Sequence, residues 1–379
     1  MRTYVVCMDG TWNHPGQRDI DPIEESERVS ETNVLRIYRF LTGILHTGNV
    51  PVHYGMVRPL CASFSASDSL GEVLYLNGVG SSGTVVNKAW AGATGTGTSE
   101  RIMDAYRFLA ERHVSGDRIF AFGFSRGAFA ARSLAGFLQY IGLPKVPRVL
   151  GEEELEDYFR LYRERGAATY GPSLGRNAQV DFLGLWDTVG ALAFGGILSS
   201  FHLISPENVN HVAHALALDE RRGAFKPEYW ESTGRGQGVD EVWFPGVHTN
   251  VGGGYAEEGL SNIALAWVVS KAVEAGLPTK KEYIQGWYAE NAIGRERDSY
   301  GEFLQKFWLI GEFARRIFVG KMNRVIMDNQ RIHSDVFERI KNSQAEPYLP
   351  AARLADGRLI PSSSDAFSKE RVVETPDYL

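Results

Sequence analysis

Short apolar runs alternate along this chain with segments whose apolar positions recur at helical spacing. That is the pattern of a mostly parallel sheet covered by helices, an α/β fold. Residues 3–8 (TYVVCM) are continuously apolar and end at Asp9-Gly10-Thr11, which predicts a strand buried on both faces. Residues 118–124 (RIFAFGF) and 180–186 (VDFLGLW) read the same way, and 50–57, 72–76 and 241–245 are further strand candidates. A serine-rich loop around 63–69 separates two of these. Helical spacing predicts helices over 33–45, 101–114 with Ser99 as cap, 128–141, 152–165 and 262–275. Ser205-Pro206 reads as the start of another helix over 207–222, with proline at its first position. From residue 280 onward the pattern is helical with aromatics and no clear strand, and the tail from about 361 is polar.

Composition narrows the class. Hydrophobic residues make up 44% and charged residues 23%, as in an ordinary globular chain. Forty basic and 46 acidic side chains leave a net charge of −6, which gives no electrostatic case for nucleic acid. Two cysteines, Cys7 and Cys61, make no disulfide framework and fit a reducing compartment. The apolar run at the N-terminus is too short for a signal peptide, so a bacterial cytoplasmic setting is expected, with export by a signal-less route left open. The uncharged stretch 188–206 approaches the length of a membrane span but carries glycines, serines and a histidine, which argues against one. Glycine is the outlier at 41 of 379 residues, about 11% against a usual ~7%. Excess glycine without a three-residue period points to tight backbone geometry at particular places.

One such place is Gly123-Phe124-Ser125-Arg126-Gly127, a G-x-S-x-G pentapeptide between an apolar strand and a small-residue helix. Strand, turn and helix in that order make a nucleophile elbow, in which flanking glycines relieve a strained turn that lifts the serine hydroxyl to the sheet edge. A serine needs a base, and the base needs an orienting carboxylate. Asp187 ends the 180–186 strand, whereas Asp181 lies at its wrong end and would be buried unpaired. His248 follows the 241–245 strand in a glycine-rich loop, so Ser125, Asp187 and His248 are the candidate triad. The oxyanion hole would take the N–H of Arg126 and one from the loop after the first strand, from Gly10 to Trp12 with Thr11 the central choice. Trp12, Phe124, Phe194 and Leu198 are candidate substrate contacts. The uncharged loop 191–204 reads equally as an acyl-chain pocket or as packing beneath the C-terminal helices.

Other motifs are weaker. Gly78-Val79-Gly80-Ser81-Ser82-Gly83 matches a dinucleotide fingerprint, but no helix opens on it and no acidic residue follows at the required distance. It reads as a loop bordering the site. Asp9-Gly10-Thr11 lacks the first aspartate of a phosphatase loop, whose place Cys7 takes. His211 and His214 share a helical face without a third ligand and read as surface or packing residues. No metal and no organic cofactor is implied.

Five blocks in order also resemble one family: Asp9 to Asn13, Gly78-Val79-Gly80, Gly123 to Ala128, Trp186-Asp187-Thr188-Val189-Gly190, and Trp243 through His248 to Gly252-Gly253-Gly254-Tyr255. The chain is similar to the α/β-hydrolase family of type VI secretion phospholipase effectors with a Tle1-like catalytic domain, from about residue 3 to 276, with a fainter echo at Ile332-His333-Ser334. The resemblance implies a Ser–Asp–His triad at Ser125, Asp187 and His248 and ester hydrolysis of the phospholipase A kind. Asn250 and Asn262 stand where the family usually has aspartate, so a cation site or pairing built on those carboxylates is not expected. The organisation read from the sequence is a hydrolase core over 1–279, with insertions near 143–178 and 190–206, then a helical extension over 280–379 packing on it. The expected partner is a lipid or other ester substrate, met through transient membrane-surface contact. A non-catalytic binding or assembly protein of the same fold, and an esterase or thioesterase of small substrates, are the alternatives.

Overall fold

The computed structural model describes residues 1–21, 25–43, 59–66, 69–79, 96–164, 175–190, 205–231, 236–279, 294, 297, 299, 321–342 and 348–375. Strand β1 (Thr3–Met8) lies inside a nine-stranded sheet, parallel to β5 (Ser69–Leu76) on one side and to β6 (Arg118–Phe124) on the other. Beyond β6 follow β7 (Val180–Trp186), β8 (Val209–Ala217), β9 (Gly238–Phe244), β11 (Arg331–His333) and β13 (Val372–Val373), each parallel to its neighbour. At the opposite edge β4 (Leu60–Ala66) runs antiparallel to β5. Two short pairs stand apart: β2 (Arg18–Ile20) with β3 (Glu27–Val29), and β10 (Val325–Ile326) with β12 (Arg353–Leu354).

The continuous apolar run of β1 has a simple cause. Tyr4, Val6 and Met8 enter one hydrophobic cluster while Val5 and Cys7 enter another, so both faces are buried. Helices α2 (Thr96–Ala110), α3 (Arg126–Ile141) and α4 (Glu152–Glu164) cover the first face. Helices α1 (Asn33–Thr42) and α6 (Gly259–Glu274) cover the second. Helix α1 starts where the Thr32 hydroxyl accepts from the Leu35 N–H and stops at Gly43, whose φ of 69° is the left-handed conformation glycine adopts without strain. A third cluster joins Leu216, Trp243 and Ile332 of the sheet and Leu218 just past β8 to Val336 and Phe337 on α7 (Ser334–Asn342).

Four expectations are corrected. Residues 207–222 do not form a helix: Val209–Ala217 is β8, in the interior of the sheet. The serine-rich stretch near 63–69 is largely strand, because β4 is an edge strand whose alternate positions Cys61, Ser63 and Ser65 face water. The helix expected from 101 already begins at Thr96 and holds Ser99 inside it. The segment after 280 adds β11 and β13 to the central sheet, so it is not strandless. The strand candidate at 50–57 lies outside the described residues.

Candidate active site

Parallel strands end on one edge, and the carboxyl ends of β1, β6, β7, β8 and β9 place Asp9, Ser125, Asp187, Glu220 and His248 there. Ser125 follows β6 at φ 59° and ψ −123°, a backbone conformation that a side chain normally avoids. The turn is possible because its neighbours lack side chains. A Cβ on Gly123 would stand 2.6 Å from the Ala128 Cα, and one on Gly127 2.1 Å from the Met8 carbonyl oxygen. The Ser125 N–H donates to the Trp186 carbonyl at 3.0 Å, tying the turn to the end of β7. Arg126 is the first residue of α3, so the serine stands at a helix N-terminus, where developing negative charge is favoured.

Asp187 also has positive φ, 42°, held by its N–H to the Ala215 carbonyl at 2.7 Å. His248 opens α5 (His248–Gly252), and its Nδ1 lies 2.6 Å from Asp187 Oδ2. Both side chains are buried, the imidazole between the rings of Phe124 and Phe225 at centroid distances of 4.6 and 4.9 Å. Burial pushes the His248 pKa down, and the bond to Asp187 recovers only part of that shift. Burial acts to raise the Asp187 pKa, but Arg324 and His248 outweigh it and hold the carboxyl well below the usual carboxylate range. Arg324 meets Asp187 with both terminal nitrogens, at 2.5 Å (Nη1 to Oδ1) and 2.9 Å (Nη2 to Oδ2). The buried Glu220 carboxylate accepts from the His248 N–H at 3.3 Å and from Arg222 Nε and Nη2, each at 2.8 Å.

Opposite the serine, Gly10 brings bare backbone close: a Cβ there would stand 3.1 Å from Ser125 Cβ. The Asp9 carboxylate pins the turn, accepting from the Gly10 N–H at 2.7 Å, the Thr32 hydroxyl at 2.7 Å and the Tyr75 hydroxyl at 2.6 Å. Burial nevertheless lifts the Asp9 pKa to about 6. The Trp12 N–H is taken by the Val79 carbonyl at 3.0 Å and the Asn13 N–H by the Gly10 carbonyl at 3.0 Å. Of the Gly10, Thr11 and Trp12 N–H groups, Thr11's alone makes no hydrogen bond among the described residues.

Trp12 is 46% exposed beside this loop, while Phe124 is buried with its ring against His248. Phe194, Leu198 and residues 80–83 lie outside the described residues. Asp181 is not unpaired: it accepts from Arg118 Nε at 3.3 Å and from the Ile119 N–H at 2.9 Å. His211 is exposed, and His214 is buried on β8, not on a helix. His214 Nε2 accepts the Thr188 N–H at 3.1 Å and Nδ1 lies 2.9 Å from Glu241 Oε1, which braces the turn after Asp187. Asn262 accepts from Arg36 Nη1 at 2.7 Å, and Arg36 also pairs with Glu258, so a carboxylate is supplied there from a neighbouring position. Sequence reasoning missed Arg324, Glu220 and the His214–Glu241 pair. The acidic Asp219-Glu220 immediately after an apolar run was the one local signal for them.

Among the described residues no cluster of His, Cys, Asp or Glu gathers to hold a metal ion, and no helix is long and apolar enough to cross a membrane. Residues 2–271 match the family described as the catalytic domain of Tle1-like phospholipase effectors of the type VI secretion system. An uncharacterized protein of Saccharomyces cerevisiae is 28% identical over 244 residues, covering 59% of this chain and 32% of its own. The chain thus spans about a third of the length of that curated relative. The crystal structure of an uncharacterized protein from Pseudomonas aeruginosa is similar over 74% of this chain and 47% of that one, at 20% identity and a TM-score of 0.41.

Proposed function

This chain belongs to the family of Tle1-like catalytic domains of type VI secretion phospholipase effectors, and on that premise we propose that it is a serine hydrolase of lipid acyl esters. One observation carries the reading. A histidine held at 2.6 Å from a buried carboxylate shares a sheet edge with a serine whose backbone is strained at φ 59°. His248 Nε2 takes the proton of the Ser125 hydroxyl, and the Ser125 oxygen attacks the ester carbonyl. The N–H groups of Arg126 and Thr11 hold the resulting oxyanion, a contribution worth about 2.7–4 kcal/mol per donor in the transition state. The imidazolium, stabilised by Asp187, gives its proton to the departing alcohol. Water, activated by the same histidine, then releases the fatty acid. Trp12, next to Thr11 and 46% exposed, supplies apolar surface for an acyl chain in this reading.

A fluorophosphonate probe tests the assignment. Wild type should be labelled and Ser125→Ala should not, and mixed vesicles should release free fatty acid only with wild type. Labelling that survives in the alanine variant would remove Ser125 from the role. A folded protein that neither labels nor hydrolyses would favour the non-catalytic reading.

A further inference from the structure

We propose that Arg324 is a positioning residue for the pair Asp187 and His248, fixing the carboxylate that orients the imidazole and setting, by its charge, the pH at which the pair takes up a proton. This rests on the serine-hydrolase reading of the site. A carboxylate has about four acceptor sites, and on Asp187 four donors fill them. Oδ2 receives His248 Nδ1 at 2.6 Å and Arg324 Nη2 at 2.9 Å; Oδ1 receives the Ala217 N–H at 2.9 Å and Arg324 Nη1 at 2.5 Å. The same guanidinium donates to the carbonyls of Ala217 and Phe225, each at 2.7 Å. It therefore ties three things together: the acid, the end of β8, and the turn whose Phe225 ring lies edge-on to His248. A planar fork meeting both oxygens leaves the carboxylate one orientation, with Oδ2 aimed at Nδ1. Arg324 lies beyond residues 2–271, the part that matches the family, so the match does not account for it.

Charge gives the second half. The charged groups around the imidazole are Asp187 and Glu220, both buried and anionic, and Arg324, buried, and Arg222, partly exposed, both cationic. Burial pushes the nearby Tyr229 hydroxyl up to about 12, so it stays neutral. His214 is taken up by the Thr188 N–H and by Glu241, and Asp219 faces Gly246, Tyr348 and Ala351. The four charges cancel when His248 is neutral. Removing Arg324 leaves a net negative charge in a water-poor site, and that raises the proton affinity of the pair whichever member receives the proton. Activity on the acid side should then fail at higher pH.

The test is the pH dependence of kcat and KM for a soluble p-nitrophenyl acyl ester with wild type, Arg324→Met and Arg324→Lys, each checked for a cooperative melt. For Arg324→Met, kcat should fall about 100-fold with KM within about threefold, and the acid limb should move up by about one pH unit. Arg324→Lys keeps the charge and loses the fork, so kcat should fall about tenfold while the limb stays in place. A folded Arg324→Met enzyme with an unmoved limb would leave the residue only a structural part. Should the methionine variant not fold, the lysine variant decides alone: a reduced kcat at an unmoved limb supports the proposal, and an undiminished kcat overturns it. Turnover that Ser125→Ala leaves intact overturns the hydrolase reading itself, which separates the two failures.

Discussion

Gly78 packs against Gly10 so closely that a methyl group on Gly78 would stand 1.7 Å from the Gly10 carbonyl oxygen. Two hydrogen bonds keep the loops in this contact, Gly78 N–H to the Asn13 carbonyl at 2.8 Å and Trp12 N–H to the Val79 carbonyl at 3.0 Å. The clip uses up the Trp12 donor, while the Thr11 N–H keeps no hydrogen bond among the described residues. Gly78→Ala must push the Gly10 turn away. Overpacking of this kind costs about 1–3 kcal/mol of stability, and displacing one oxyanion donor costs about 100- to 1000-fold in kcat. Thermal melts and ester kinetics on the same preparation measure both; an unchanged kcat would mean that the oxyanion is held elsewhere.

Ser125→Gly should separate stability from activity. The φ of 59° and ψ of −123° cost a serine about 1–3 kcal/mol and a glycine almost nothing, less the roughly 0.5–1 kcal/mol of extra chain entropy that glycine loses on folding. The expected result is a higher melting temperature together with complete loss of probe labelling. A lower melting temperature would show that the hydroxyl stabilises the fold more than the turn strains it.

Asp187→Asn should be costly twice over. The imidazole loses the partner that fixes its tautomer, an effect on the order of 10⁴-fold in kcat in serine hydrolases. Arg324 is left buried without its counter-charge, and breaking one side of a buried ion pair costs about 3–5 kcal/mol. Denaturant unfolding and turnover should therefore both change. Near-wild-type turnover would mean that another carboxylate orients His248.

Two buried groups should make stability depend on pH in opposite directions. The Asp9 pKa rises to about 6 in the folded protein from an ordinary 3.8. Between those values the folded state holds a proton that the unfolded state does not, so stability falls by about 3 kcal/mol as pH rises through the window. Asp9→Asn should remove that component. The imidazole of His333 is buried against the Phe244 ring, and its pKa drops to about 3 from 6.5. Here the unfolded state binds the proton first, so stability is lost as pH falls below 6.5, on the order of 3 kcal/mol by pH 4. His333→Gln should flatten that limb. Unfolding free energies at pH 7, 5.5 and 4 for the three proteins resolve the two slopes, and parallel curves would exclude both assignments.

How much the sequence disclosed follows from the physics of each element. Strands β1, β6 and β7 were legible to the residue because burial on both faces writes a nearly continuous apolar run, interrupted only near its start, between clear stops. Strand β8 was not, since in Val209–Ala217 the polar Asn210, His211 and His214 break the alternation of a strand and leave Val209, Val212, Ala213, Leu216 and Ala217 at helical spacing. The proline at 206 tipped the reading the wrong way. Strands β11 and β13 have three and two residues, too few to carry any pattern. Within the site, Ser125, Asp187 and His248 each sit in a local turn with its own signature. Arg324 stands 137 residues from the aspartate it grips, and no local motif marks such a pairing.

That separation has a consequence in time. A ribosome adding about 5–20 residues per second needs on the order of ten seconds to go from Asp187 to Arg324. During that interval the carboxylate has no guanidinium to accompany it out of water, and β9, which leads into His248, is still missing its neighbour β11. The edge at Asp187 therefore gains its guanidinium and its outer strands only after the rest of the site has been made. Its last layer closes only when the C-terminal segment arrives, so maturation of the site is timed by translation.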